Sequence, residues 1–197
     1  MLNDKLKNFN IILASGSPRR QQFFKELELD FEIRLKPVKE EYPPQLIHFE
    51  ITNYLAQLKA LPFKNELKDN DILITSDTIV WHNNTAMGKP KDEQEAFEMI
   101  KSYSDTTHEV ITSVCFTTNS YEKTLYAITK VTFKVLSDDE INHYIKTCKP
   151  FDKAGAYGIQ EWIGQIGVTK IEGSYFNVMG LPVHLVYKTL NDIANRA

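Results

Sequence analysis

Asp71-Ile72-Leu73-Ile74-Thr75-Ser76-Asp77-Thr78-Ile79-Val80-Trp81 is the stretch on which the fold turns. It is rich in β-branched and aromatic residues and reads as one buried strand with an aspartate inside it. Aspartate is a poor strand former. Buried and unpaired, its carboxylate is costly, so Asp77 needs an arginine, a lysine, a metal or hydrogen-bond donors. Two readings follow: an acid paired for structure, or a metal ligand or general base beside a bound phosphate. Alternation along an ideal strand points Asp77 and Thr78 to opposite faces. A shared site therefore requires the strand to bulge or end there.

Working outward, His82-Asn83-Asn84-Thr85 has the character of a hairpin turn, because asparagine tolerates positive φ. Before the strand, 49–60 carries apolar residues Ile51, Tyr54, Leu55 and Leu58 at helical spacing. Phe9 to Ala14 is a short apolar run, the first strand, and Ser17-Pro18 opens a helix through about Glu28. Asp30 to Leu35 reads as a strand and 36–44 as a polar, proline-marked loop. After the hairpin, Asp92 with Glu95 starts a helix whose face is Ala96, Phe97, Ile100 and Tyr103. Strands are expected at 109–117 and 125–136, with a turn at Asn119 and Ser120, then a helix at 138–147. Gly155 to Gly158 is a tight segment, 162–171 a further strand and 182–194 a closing helix. This order is mixed α/β with several hairpins, which argues against a simple doubly wound sheet.

The 197 residues suit one domain, or one domain with two lobes, and 42% hydrophobic with 25% charged residues is ordinary for a globular chain. A formal net charge of -3 carries no basic excess for gripping a nucleic-acid polymer, so phosphate binding has to come from a local group of cations. Cys115 and Cys148 lie far apart without CxxC spacing, which suggests neither a disulfide framework nor a zinc site. No apolar run approaches the roughly 18 residues of a membrane helix, and the N-terminal apolar stretch is too short for a signal peptide. A cytoplasmic protein is the expectation.

The opening turn, Ala14-Ser15-Gly16-Ser17-Pro18-Arg19-Arg20, breaks a local rule. Arginines in a helix's first turn oppose its dipole, at roughly 0.3–1 kcal/mol each when exposed. An anion held by backbone N–H groups, serine hydroxyls and guanidinium forks would resolve the conflict; the alternative is two solvated surface arginines. There is no Walker A loop, since the GK[ST] ending is missing. Lys59 ends a helix, where a cation is welcome anyway, and Lys89 follows the hairpin. Glu40 and Glu41 lie in the polar loop. Asp152-Lys153-Ala154-Gly155-Ala156-Tyr157-Gly158-Ile159-Gln160 is compact, and the Gln160 amide is able to read a base edge. The five histidines are scattered without metal-ligand spacing.

Together these motifs resemble the Maf family, also called septum formation inhibitor proteins. The likeness runs nearly end to end: LASGSPRR at 13–20, LAQLKA at 55–60, SDTIV at 76–80, GKP at 88–90, HEVIT at 108–112, DKAGAYGIQ at 152–160 and GSYFNVMGLP at 173–182. The resemblance implies a single Maf-like domain over 1–197, of a mixed α/β fold akin to the inosine triphosphate pyrophosphatases, with two lobes around a nucleotide cleft, often as a homodimer. It implies hydrolysis of nucleoside triphosphates to the monophosphate and pyrophosphate with a divalent metal, Mg²⁺ or Mn²⁺. The family's base position matches Asp77, and its phosphate-binding positions match Ser15, Arg20, Lys59 and Lys89. Its specificity positions match Arg19, Thr78 and Gln160. Its acidic loop residue, which with Asp77 would hold the metal, matches Glu40, with Glu41 as the alternative. The branch whose segment resembles DKAGAYGIQ prefers dTTP and UTP. Gln22 and Asp105 depart from the family's usual glutamate and glycine. A non-catalytic, nucleotide-binding regulator of cell division and a phosphate-monoester hydrolase are the rival expectations.

Overall fold

The computed structural model describes residues 1–195 and is mixed α/β, as the sequence predicts. Its helices are α1 (Leu2–Leu6), α2 (Pro18–Glu26), α3 (Phe49–Ala60), α4 (Glu93–Tyr103), α5 (Asp138–Cys148), α6 (Trp162–Gly167), α7 (Tyr175–Val178) and α8 (Val183–Ala194). Its strands are β1 (Asn10–Leu13), β2 (Phe31–Ile33), β3 (Asp71–His82), β4 (Thr85–Met87), β5 (Thr107–Thr117), β6 (Glu122–Phe133) and β7 (Val168–Glu172). They form a sheet in the order β2-β1-β3-β5-β6-β7, with β4 paired to β3. The chain divides into two compact units: one of 1–77, 112–127 and 180–197, the other of 78–111 and 128–179.

In the first unit β1 lies between β2 and β3 and runs parallel to both, with Ile12 opposite Glu32 on one side and Leu73 on the other. Parallel neighbours need long crossovers, and α2 and α3 lie in them. Ile11, Ile12 and Leu13 are almost without solvent, as a strand covered on both faces requires. Burying each contributes roughly 1.5–3 kcal/mol. Ala56 and Ala60 of α3 share a core with Ile12, Phe63, Leu73 and Cys115. Small residues on that helix face let the helix come close to the strand beneath. The Thr75 hydroxyl of β3 donates to the Ala56 carbonyl at 2.6 Å and fixes helix against strand.

In the second unit, the end of β3 turns into β4 through Asn83 and Asn84, whose φ angles of 48° and 57° confirm the two-residue hairpin. Asp92 caps α4 by accepting from the Glu95 N–H, and Ser137 with Glu140 forms a reciprocal capping box on α5. The core gathers Val80, Ile100, Tyr103, Val131, Phe133, Ile141, Tyr144 and Ile163. Within it the neutral ring of His108 meets the Tyr157 hydroxyl at 2.8 Å. Burial, then His82, pushes the His108 pKa down to about 3. His82 and His108 are therefore core members.

One sequence expectation needs correction, and one element lies outside what the sequence predicts. The stretch 162–171 is not one strand: α6 occupies Trp162–Gly167 and only Val168–Glu172 is β7. Gly164 explains this, because a side chain there would lie 2.0 Å from the Ile159 carbonyl oxygen, so the backbone coils tightly against its own preceding turn. A helix, α1, precedes the first strand, with Leu2 and Leu6 buried. As the sequence predicts, β3 runs unbroken through Asp77, from Asp71 to His82.

Candidate active site

Ser17 caps α2 by accepting from the Arg20 N–H, and Pro18 supplies the first helical residue without a wasted donor. The buried Ser15 hydroxyl accepts from the Ser17 N–H at 3.3 Å, while the Gln21 amide donates to the Ser15 carbonyl at 3.1 Å. The turn before the helix is thus held by its own side chains. Arg20 is no solvated surface cation. Its Nε donates to the Gly180 carbonyl and its Nη1 to the Ser76 carbonyl, both at 2.8 Å. It thereby anchors the backbone one residue before Asp77. Two carbonyls supply part of the negative potential that the helix start denies this arginine. Arg19, in the same first turn, is half-buried.

Asp77 is 6% exposed and finds its partner on α3. Thr75 and Asp77 lie two apart on one strand face, and Ala56 and Lys59 lie three apart on one helix face. The contact that ties Thr75 to Ala56 therefore brings Lys59 to Asp77. Lys59 Nζ donates to Asp77 Oδ1 at 2.7 Å and also lies 3.1 Å from Glu40 Oε2. Burial raises the Asp77 pKa; Lys59, and more weakly Arg20, pull it back, and Glu40 adds to the rise. The net direction is upward, because the buried carboxylate loses most of its hydration while sharing its lysine with a second acid. Glu41 instead pairs with Lys39 at 2.6 Å, so of the two loop acids only Glu40 joins this group.

The arrangement fits a small divalent cation. A positive charge, the Lys59 ammonium, already sits between two carboxylates from different segments, which is the setting a hard oxygen-binding ion uses. No group of three or more His, Cys, Asp or Glu suited to a metal occurs among the described residues. A cation held by Glu40 and Asp77 would take its remaining ligands from water or phosphate oxygens.

Ser15, Arg20, Glu40, Lys59 and Asp77 all belong to the first unit; Thr78, Lys89 and Gln160 belong to the second. There the Gly88 carbonyl accepts from the Gly155 N–H at 2.8 Å, stitching the segment that carries exposed Lys89 to the one that carries half-buried Gln160. Gly155 has φ of +72°, and a side chain on it would meet Val80 at 2.5 Å, so the segment packs where only glycine fits. Thr78 is half-buried on β3. Tyr144 and Glu161, which flank the Gln160 segment, carry no signal in the sequence. One lies on the buried face of α5 and the other at the start of α6, with nothing local relating them.

A buried acid paired with lysine, with an arginine anchoring the residue before it and a serine-capped helix start in the same unit, sits on a mixed α/β sheet, which defines the class as an α/β protein with a buried acid–lysine pair. The fold resembles that of the Staphylococcus aureus Ham1 protein, with a TM-score of 0.54 at 16% identity, covering 93% of this chain and 99% of that one. Residues 10–193 match the sequence model of the family described as Maf-like protein, and the chain belongs to that family. A relative from Flavobacterium johnsoniae, called a dTTP/UTP pyrophosphatase, is 66% identical and spans 98% of this chain and all of its own length. A second of the same name, from Flavobacterium psychrophilum, is 58% identical over 95% of this chain and 96% of its own.

Proposed function

We propose that this chain hydrolyses dTTP and UTP to the monophosphate and pyrophosphate, with Asp77 as general base. The observation that carries the reading is the buried Asp77 carboxylate shared, through Lys59, with Glu40. The name dTTP/UTP pyrophosphatase, carried by two relatives matched over nearly their whole length, supports the substrate. Asp77 takes a proton from the water that attacks the α-phosphorus. As the new P–O bond forms, the bond to the bridging oxygen breaks and its electron pair leaves with pyrophosphate. A carboxylate whose pKa burial has raised is a better base than a solvated one, and such assistance is typically worth about 10²–10⁴ in rate. Lys59, Arg20, Lys89, Ser15 and the start of α2 hold the triphosphate, and Arg19, Thr78 and Gln160 discriminate the base. Mg²⁺ or Mn²⁺ held by Glu40 and Asp77 would supply neutralisation of charge on the phosphates.

The single Maf-like domain, cytoplasmic location and homodimeric assembly that the family resemblance implies belong to the same proposal; among the described residues no helix is long and apolar enough to cross a membrane. The test is a nucleotide panel with Mg²⁺ or with EDTA, scored separately for pyrophosphate and inorganic phosphate. Pyrophosphate from dTTP and UTP that vanishes with EDTA is the expected result. Binding without turnover would favour a nucleotide-sensing regulator, and inorganic phosphate alone a monoester hydrolase.

A further inference from the structure

Gln160 sits in a turn that the second unit holds from both sides. The Glu161 N–H closes the turn on the Gly158 carbonyl at 3.0 Å, and the Gln165 side chain donates to the Gln160 carbonyl at 3.5 Å. Beneath the turn lies a polar chain. The Gly158 N–H donates to the Tyr144 hydroxyl at 3.0 Å, that hydroxyl donates to Glu161 Oε2, and Glu161 Oε1 lies 3.0 Å from Lys153 Nζ. Tyr144 is fully buried and the Lys153 side chain is 9% exposed, while Asp152, at 2.8 Å from the same ammonium, faces solvent. A Cβ on Gly158 would lie 2.7 Å from the Glu161 carboxyl carbon, so backbone and carboxylate are in direct contact.

We propose that Glu161, acting with Tyr144 and Lys153, is a positioning residue that sets the orientation of Gln160 and so the selectivity for the base. This rests on the reading of Gln160 given above. A buried ion pair adds little net stability, because desolvation offsets most of the attraction. What the chain of Gly158 N–H, hydroxyl, carboxylate and ammonium does supply is direction: each member fixes the next, and polarisation along it stiffens the whole. Gln160 lies between the two residues, Gly158 and Glu161, that this chain holds. A base-reading amide needs such a supporting layer, since a small tilt misaligns its donor and acceptor together.

The experiment measures kcat and KM for dTTP, UTP and the purine dGTP in the full chain, with Tyr144→Phe, Glu161→Gln, Gln160→Ala and the double variant Tyr144→Phe/Gln160→Ala, alongside thermal melting. Tyr144→Phe and Glu161→Gln should raise KM for dTTP by about 3- to 10-fold, the worth of about one hydrogen bond. They should leave kcat within about twofold, a split that separates misplaced binding from lost chemistry. Preference over dGTP should fall in parallel, and in the Gln160→Ala background Tyr144→Phe should cost nothing further. An unchanged KM and base preference in both single variants would overturn the proposal, whatever happens to the melting temperature. So would an undiminished effect of Tyr144→Phe without Gln160. If Gln160→Ala itself leaves the base ranking intact, the role of Gln160 as reader is what fails, and the positioning role falls with it. Should Tyr144→Phe not fold, Glu161→Gln carries the same test, because it keeps the size while removing the charge and turning one of the two acceptor oxygens into a donor.

Discussion

Replacing Asp77 by asparagine separates catalysis from stability. The substitution keeps the shape and removes one negative charge. Deleting one member of a buried pair usually costs about 3–5 kcal/mol, because the other charge is stranded. Here it is not stranded: Lys59 keeps Glu40 at 3.1 Å and is itself 18% exposed. Moreover, burial raises the Asp77 pKa, so the ionised acid is a liability to the folded state. Its favourable contribution is fully present only below the unfolded carboxylate pKa and is lost as pH rises through the folded one. The variant should therefore melt within a few degrees of the parent, about 1 kcal/mol corresponding to roughly 2–4 °C for a chain of this size. Any gain should grow as pH rises past the raised pKa. Turnover of dTTP should fall by about 10²–10⁴, the usual worth of a general base. Pyrophosphate release and a melt at two pH values, on the same preparation, decide the matter. A kcat within about tenfold of the parent would refute Asp77 as base. A large drop in melting temperature at neutral pH would refute the claim that burial outweighs pairing.

Removing the lysine tests the pairing from the other side. Lys59→Met should push the Asp77 pKa further up in the free protein, since Lys59 is the main influence lowering it; an NMR titration of the Asp77 carboxyl showing no rise would contradict this. Gln160→Ala should narrow the gap between pyrimidine and purine triphosphates in kcat/KM, and an unaltered ranking means another residue reads the base. Gly155→Ala should destabilise by about 1–3 kcal/mol through overpacking against Val80, with added strain from the positive φ, seen as a lower melting temperature.

Much of this molecule is legible in local sequence. Ser17-Pro18, Asp92 and Ser137 announce helix starts because capping is satisfied within one turn, and Asn83-Asn84 announces a hairpin because the turn needs two positive φ values. The 162–171 stretch misleads because a helix of this length leaves little periodicity to read, and what shapes it is the close approach of Gly164 to Ile159.

By itself the sequence determined that an acid lies inside a buried strand and must have a partner, since the energetics of a desolvated carboxylate hold in any fold. Which partner it takes was decided only by tertiary structure. Packing small alanines of α3 onto β3 puts Lys59 at 2.7 Å from Asp77. Other long-range contacts pair Glu40 with Lys59 while its neighbour Glu41 takes Lys39, and bring Arg20 to a carbonyl 160 residues away. Propensity and periodicity act over a few residues, whereas these contacts depend on how distant segments share one core.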